Sequence, residues 1–252
     1  MKTGFLHFFG ALGLATMVLS SCSNKDMSKP DQPPIDDKDA ASVSYEISAI
    51  NPTYTLTPDA SGRLSAIVGD KSMAKDASGG FDITWDTATA RLREIRFSAK
   101  RGVDEVDFSL KTDRQIDLKK VPFLLGAIKI PKGTYQSVKV YARAEGDKNN
   151  PVVKLKGKLT WAGKKIPMEI LLSGKIELKA NGKDVVVTDT KIDWKGSLKI
   201  SMDLILNKLQ IGDFTGSFTE GKLTINVNVN SKLHDKVVNS LENSMSVEHS
   251  HN

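Results

Sequence analysis

Residues Gly79–Lys100 read GGFDITWDTATARLREIRFSAK. Two runs inside this stretch alternate apolar with polar side chains. Phe81, Ile83 and Trp85 share one face of the first run; Ile95, Phe97 and Ala99 share one face of the second. Successive side chains of a strand point to opposite sides, so the alternation predicts half-buried strands. Between the runs the parity flips, because Ala90 and Leu92 fall on even positions and Ile95 to Ala99 on odd ones. One extra residue near Arg93–Glu94 restores the apolar face, which predicts a β-bulge there.

The same period runs through most of the chain after residue 42. Val43, Tyr45 and Ile47 alternate before Asn51-Pro52 stops the run, and Val106, Phe108 and Leu110 alternate in VDFSLK. Val138, Val140 and Ala142 follow a turn at Pro131-Lys132-Gly133, where proline pre-sets φ and glycine tolerates a positive value. In VVKLKGKLTW, Val153, Leu155, Gly157 and Leu159 share one side, and Lys154, Lys156 and Lys158 the other. Asn181-Gly182 between two alternating runs predicts a type I′ hairpin. GKLTINVNVN predicts a strand with Leu223, Ile225, Val227 and Val229 inward.

Two helices are expected among these strands. Residues 198–210 fit either a long strand or a helical spacing of Leu198, Met202, Ile205 and Leu209. Ser201 as N-cap with Asp203 in the first turn favours a strand to about 200 and a short helix near 202–210. Leu233, Val237, Leu241 and Met245 stand four apart and predict a C-terminal amphipathic helix, capped by Asn230 or Ser231. Strands in close succession without alternating helices argue for a mainly β fold, an antiparallel β-sandwich over residues 43–247, built as one unit or as two packed sub-domains.

The N-terminus reads differently. Met1-Lys2 precedes an uncharged, mostly apolar run, Phe5 to Val18. At about 1.5 Å per helical residue the run is too short for a hydrocarbon core of roughly 30 Å, so residues 1–21 read as a signal peptide. Leu19-Ser20-Ser21-Cys22 resembles the bacterial lipoprotein signal, which implies cleavage between Ser21 and Cys22 and lipidation of Cys22. This is the only cysteine in the chain, consistent with export without a disulfide framework. Residues 22–42, rich in Pro and Asp, cannot bury enough apolar surface to offset the entropy of ordering and read as a tether. Ser23 differs from the aspartate that retains enteric lipoproteins in the inner membrane. The expected location is therefore the outer membrane, on its periplasmic or cell-surface face.

The combined pattern of FDITWDTATARLREIRF (Phe81–Phe97), IKIPKGTYQSVKV (Ile128–Val140) and INVNVNSKLHDKVVNSL (Ile225–Leu241) resembles a family of Bacteroidota lipoproteins. Those proteins carry a prealbumin-like or carbohydrate-regulatory-like β-sandwich. The resemblance implies that Ile130-Pro131-Lys132-Gly133-Thr134-Tyr135 is a turn joining two sandwich strands. It carries over no catalytic residue.

Chemistry is sparse. The 36 basic and 30 acidic residues are interspersed and give a net charge of +6. No basic block with interleaved aromatics appears, so nucleic acid is not an expected partner. Of the four histidines, His7 lies in the signal segment, His234 in the last helix, and His249 and His251 in what reads as a frayed polar tail. A Ser-His-Asp triad or a His-rich zinc site inside the sandwich is thus not expected. No cofactor fingerprint is present. Asp104, Glu105 and Asp107 cluster, and Asp82 and Asp86 flank Trp85, but aromatic sugar platforms are scarce with three tryptophans. The most suggestive feature is the lysine row Lys154, Lys156, Lys158 with Lys164 and Lys165. It is either a patch for an anionic ligand or protection of a sheet edge. The expectation is a membrane-anchored, non-catalytic binding or adhesion module whose partner is a glycan, a polyanion or a protein. The alternative is a carrier of a lipid or small apolar ligand between the sheets.

Overall fold

Phe81–Arg101 forms one strand of 21 residues, and the rest of the protein is arranged along it. The computed structural model describes residues 39–69, 80–120, 122–189, 193–214 and 218–251. The expected signal peptide, Ser21, Cys22 and the tether up to residue 38 lie outside the described residues, as does Ile192. In chain order the strands are β1 (Ala40–Ile50), β2 (Thr53–Pro58), β3 (Leu64–Ile67), β4 (Phe81–Arg101) and β5 (Asp104–Asp117). They continue with β6 (Phe123–Pro131), β7 (Gly133–Gly146), β8 (Val153–Trp161), β9 (Lys164–Leu172) and β10 (Gly174–Asn181). The last five are β11 (Val185–Val187), β12 (Trp194–Ser201), β13 (Phe218–Thr219), β14 (Lys222–Ile225) and β15 (Met245–His251). A 3₁₀ turn spans Met202–Leu204, and the helices are α1 (Ile211–Phe214) and α2 (Ser231–Glu242).

The result is a β-sandwich of two open sheets. The smaller runs β15-β12-β1-β6, and the larger runs β10-β7-β4-β8-β9-β14-β13 with β2, β3, β5 and β11 attached. Most pairings are antiparallel; β1 with β12 and β14 with β9 are parallel. One edge of β4 is taken by β5 and then β2, the other by β7 and then β8. The predicted bulge is present: register shifts between Leu92 and Glu94 in the pairings with both β5 and β7. A second shift, between Trp85 and Thr87, falls in the pairing with β8.

Burial follows the alternation. Val43, Tyr45 and Ile47 are buried on β1, Phe81, Ile83 and Trp85 at the start of β4, and Ile95, Phe97 and Ala99 near its end. The turn at Lys132 leads from β6 in the smaller sheet to β7 in the larger one, as the resemblance implies. Tyr135 locks it, because its buried hydroxyl donates to the Pro131 carbonyl at 2.6 Å. Burial pushes that hydroxyl's pKa up to about 12.

Several expectations are corrected. Asn181-Gly182 is not a hairpin, since β10 and β11 both run antiparallel to β7, one after the other. Neither residue has a positive φ; the kink lies across from them at Ser137 (φ 52), whose N–H donates to Asp184 Oδ1. Pairs of positive φ, the mark of type I′ turns, occur instead at Ala162-Gly163 and Glu220-Gly221, between β8 and β9 and between β13 and β14. Ala40 and Ala41 belong to β1, buried opposite Pro131 and Ile130, so the sandwich starts inside the stretch read as tether.

The short helix near 202–210 reduces to the 3₁₀ turn. Lys208 N–H donates to Leu64 O and Leu209 O accepts from Leu64 N–H, so these backbone groups serve β3 rather than a helical ladder. Lys208, at φ 67, ends any helical course. β14 stops at Ile225 because Asn226 Oδ1 accepts the N–H groups of Asn228 and Val229, turning the chain into α2 and leaving Val227 and Val229 partly exposed. The C-terminal helix is present with Leu233, Val237 and Leu241 buried. Its N-cap Asn230 makes no side-chain cap bond and donates Nδ2–H to Thr224 O. Residues 245–251 are no frayed tail: they form β15, paired with β12 from Ile200–Met245 to Trp194–His251.

Candidate functional site

The lysine row lies on the outer face of β8. It does not guard an edge, because β8 pairs with β4 on one side and β9 on the other. Nor is it a continuous cationic stripe. Lys156 Nζ lies 3.1 Å from Glu169 Oε1, and Lys158 Nζ 3.2 Å from Asp86 Oδ2. Glu169 also accepts from Lys222 at 2.7 Å; this bond and the one from Lys156 hold its carboxyl below the usual range against partial burial. Among the described residues no carboxylate is within ion-pair distance of Lys154, Lys164 or Lys165. Lys154 lines a dent of about 60 Å³ beside Arg91, whose guanidinium is committed to Asp113 at 2.8 Å. Lys164 faces Trp161 at the β8–β9 turn and Lys165 faces Thr160. The five lysines therefore divide into two ion pairs and three separate charges.

The carboxylates are likewise dispersed. Asp82 accepts from Thr55 Oγ1 at 2.8 Å, while Asp86 serves Lys158. Asp104 and Glu105 are exposed beside the turn into β5, opposite Arg101 and Lys100. Among the described residues no group of three or more His, Cys, Asp or Glu side chains is arranged to hold a metal.

His249 is the larger surprise. β15 points it between the sheets, where its Nε2 lies 3.0 Å from the Tyr45 hydroxyl and its ring meets Phe97 edge-on at 6.0 Å. Burial lowers its pKa to about 4, because the surrounding rings solvate an imidazolium poorly. Burial also raises the Tyr45 hydroxyl. This neutral pair is a core contact. His251, at the strand's end, lies against Trp194, ring centroids 3.9 Å apart and planes tilted by 50°.

A second polar contact ties the corner after β1 to the 3₁₀ turn. Asn51, at φ 54, donates Nδ2–H to the buried Asp203 at 2.9 Å. Beside it, burial and then the Asp203 charge raise the Tyr54 hydroxyl. The Lys119 ammonium closes the same corner by donating to the Trp85 and Asp86 carbonyls at 2.6 and 2.9 Å.

Two spaces among the described residues differ greatly in size. An apolar cavity bounded by Ala90, Leu92, Leu155, Met202, Ile205 and Leu241, among others, measures about 10 Å³. A cleft of about 400 Å³ opens between the segment after the 3₁₀ turn and the last turn of α2. Leu204, Asn207 and Lys208 form one wall, and Asn239, Ser240 and Asn243 the other. No periodicity points to these residues, which are outward-facing polar positions on a loop and on the solvent side of a helix. The one available signal is the i, i+4 spacing of Asn239 and Asn243.

No protein-family model matches this chain, and no curated protein or solved structure matches it. Among the described residues no helix is long and apolar enough to cross a membrane.

Proposed function

We propose that this protein is an envelope lipoprotein, cut between Ser21 and Cys22 and lipidated on Cys22, whose β-sandwich acts as a non-catalytic binding or adhesion module. In this reading it stands on the outer membrane, at the periplasmic or cell-surface face, and belongs with the Bacteroidota lipoproteins it resembles. A thioether-linked diacylglycerol with a further acyl chain supplies the anchor, since each buried CH₂ is worth about 0.8 kcal/mol.

The observation that carries the binding reading is the small size of the apolar interior cavity found among the described residues. Beneath the 3₁₀ turn and α2 it measures about 10 Å³, room for at most one water, whereas small-molecule sites run from roughly 300 to 1,000 Å³. A carrier of lipid or another apolar ligand needs that space between its sheets. A module that recognises its partner at the surface does not. The partner classes that fit are a glycan, a polyanion or a protein, and the ion-paired lysine row weakens the second of these.

One preparation tests both halves of the proposal. The chain and its Cys22→Ser variant are expressed with a fatty-acid label, purified and extracted with organic solvent. The expected result is label on the native chain alone, an uncut variant, and no stoichiometric apolar ligand in either extract. Normal maturation of the variant overturns the anchor. A stoichiometric extracted ligand overturns the binding module in favour of the carrier.

A further inference from the structure

We infer that the cleft between the 3₁₀ segment and the end of α2 is a binding site for a short saccharide. The inference rests on the binding-module reading and names the ligand class for it. Three observations carry it: the cleft's walls are preformed, its lining is amide-rich, and no backbone edge is offered to a peptide.

Both walls are held from behind. Met202, Ile205, Leu206 and Leu209 are buried beneath the first, and Val237 and Leu241 beneath the second. Ser201 N–H donates to Ser244 O at 3.0 Å, joining the two segments, and Lys208 N–H donates to Leu64 O at 2.8 Å. The cleft therefore does not have to order itself when a ligand arrives, which removes one of the main costs of binding.

The lining consists of Asn207, Asn239, Asn243 and Ser240, with Lys208 at the rim; Leu204 and the aliphatic stems of these side chains make its apolar surface, and Asn243 already donates one Nδ2–H to the Asn239 carbonyl at 2.8 Å. An asparagine amide and a serine hydroxyl each present a donor and an acceptor without charge. Their complement is a ligand dense in groups that both donate and accept, which is the chemistry of sugar hydroxyls. Lys208 stands at φ 67, a backbone position that favours glycine. It supplies the cleft's cation and suits an acidic substituent on the same saccharide. No lining residue is a carboxylate that would repel one.

An extended peptide fits less well. One wall is a helix, and on the other Asn207 N–H donates to Leu204 O while Lys208 N–H and Leu209 O pair with Leu64, so neither wall presents a strand edge to the cleft. No free edge remains for strand addition. Leu204 alone does not make the series of apolar pockets that peptide side chains use.

The test is an amide titration of the intact folded protein, following the side-chain NH₂ signals of Asn207, Asn239 and Asn243 by heteronuclear NMR. The probes are maltotetraose, chitotetraose and, as a control, tetra-alanine. Saturable shifts confined to the cleft with at least one saccharide support the inference. Asn207→Ala and Asn239→Ala should then each weaken the affinity roughly fivefold, the loss of one neutral hydrogen bond. Asn239 is exposed on α2, where alanine favours a helix, and Asn207 is a partly exposed turn residue, so the variants should fold, which their backbone spectra will show. No shift at millimolar saccharide overturns the inference, as does a shift with tetra-alanine alone or affinity unchanged in both variants. An empty organic extract together with unshifted amides would defeat the cleft alone; a loaded extract would defeat the binding module itself.

Discussion

From Leu92 to Arg101, β4 faces a second sheet; from Phe81 to Ala90 it faces turns, the single-turn α1 and the end of α2. In the first region Phe97 meets Tyr135 at 5.8 Å, Phe108 at 6.2 Å and His249 at 6.0 Å, rings supplied by three other strands of the two sheets. In the second, Phe81 meets Phe214 of α1 at 5.8 Å, and Met202, Ile205 and Leu241 close over Ala90 and Leu155. A sheet is a rigid cover because every strand is held by its neighbours. A turn or a short helix is held at fewer points and can settle when something beneath it is removed. The cleft also lies in this cover and not in the sheets, but at its best-held part, where Ser201 N–H donates to Ser244 O and Lys208 N–H to Leu64 O.

The difference should appear first in large-to-small substitutions. Removing a buried phenylalanine costs about 3–5 kcal/mol, with the spread set by how far the site collapses. Phe97→Ala should fall near 4 kcal/mol in urea unfolding. Phe214→Ala should cost about 3 kcal/mol, the bottom of that range, because α1 is a single turn, Ile211–Phe214, able to move inward. Equal costs would mean that the helical cover is as rigid as the sheet.

The next effect probes the strands themselves where β4 bulges. Gly157 on β8 lies opposite Trp85, and a Cβ placed there would collide with the Thr84 carbonyl oxygen and lie 3.0 Å from the Trp85 Cα. Backbone cannot rotate aside as a side chain can. Gly157→Ala should therefore destabilise by about 3 kcal/mol, the upper part of the overpacking range. A variant within about 0.5 kcal/mol of the native chain would place the β8 backbone farther from the bulge.

His249 offers a pH test confined to the sheet-covered half. Burial holds its folded pKa at about 4, against an ordinary imidazole value of 6.5. Above pH 6.5 it is neutral in both states and contributes no pH dependence. As the pH falls towards 4, the unfolded chain takes up a proton that the folded chain refuses, so stability is lost through that window. At 1.36 kcal/mol per unit the loss reaches about 3 kcal/mol at most, and somewhat less for a ring not wholly buried. His249→Phe should flatten the stability curve between pH 6.5 and 4 relative to the native chain. An unchanged slope would show that the imidazole reaches water.

Which of these features could be read from the residues alone depends on where their partners lie. Alternation exposed both runs of β4 and the bulge between them, because parity is local. It also exposed the stripe of α2, where Leu233, Val237 and Leu241 are themselves apolar. It failed at β15, where Met245, Val247 and His249 continue the inward parity but the third member is a histidine and the outward ones are polar. Only the core of another sheet makes that histidine an interior residue. The parallel pairing of β1 with β12 joins residues some 150 positions apart and leaves no local mark. The cleft was unreadable for the opposite reason. Its residues face water, and what brings Asn207 to Asn239 is a pair of backbone bonds, Lys208 to Leu64 of β3 and Ser201 to Ser244 just before β15, not any property of the two asparagines.

The smallest effect separates two glycines that look alike on paper. Gly163 occupies a type I′ turn at φ 76 with nothing within 4 Å of where a Cβ would stand, so Gly163→Ala should cost about 1 kcal/mol through backbone strain alone. Gly182 follows the asparagine that suggests the stronger turn, yet its N–H continues the ladder by donating to Val138 O at 2.9 Å. There a Cβ would lie 3.0 Å from Val138 Cγ1 and 3.4 Å from the His249 ring. Gly182→Ala should also cost about 1 kcal/mol, but through crowding. The two causes part in a Val138→Ala background, measured as a double-mutant cycle. Removing the valine methyls should relieve the Gly182 substitution and leave the Gly163 substitution untouched. Relief at neither site would mean that residue 182 is strained in its backbone after all, and that the Asn-Gly pair is more turn than strand.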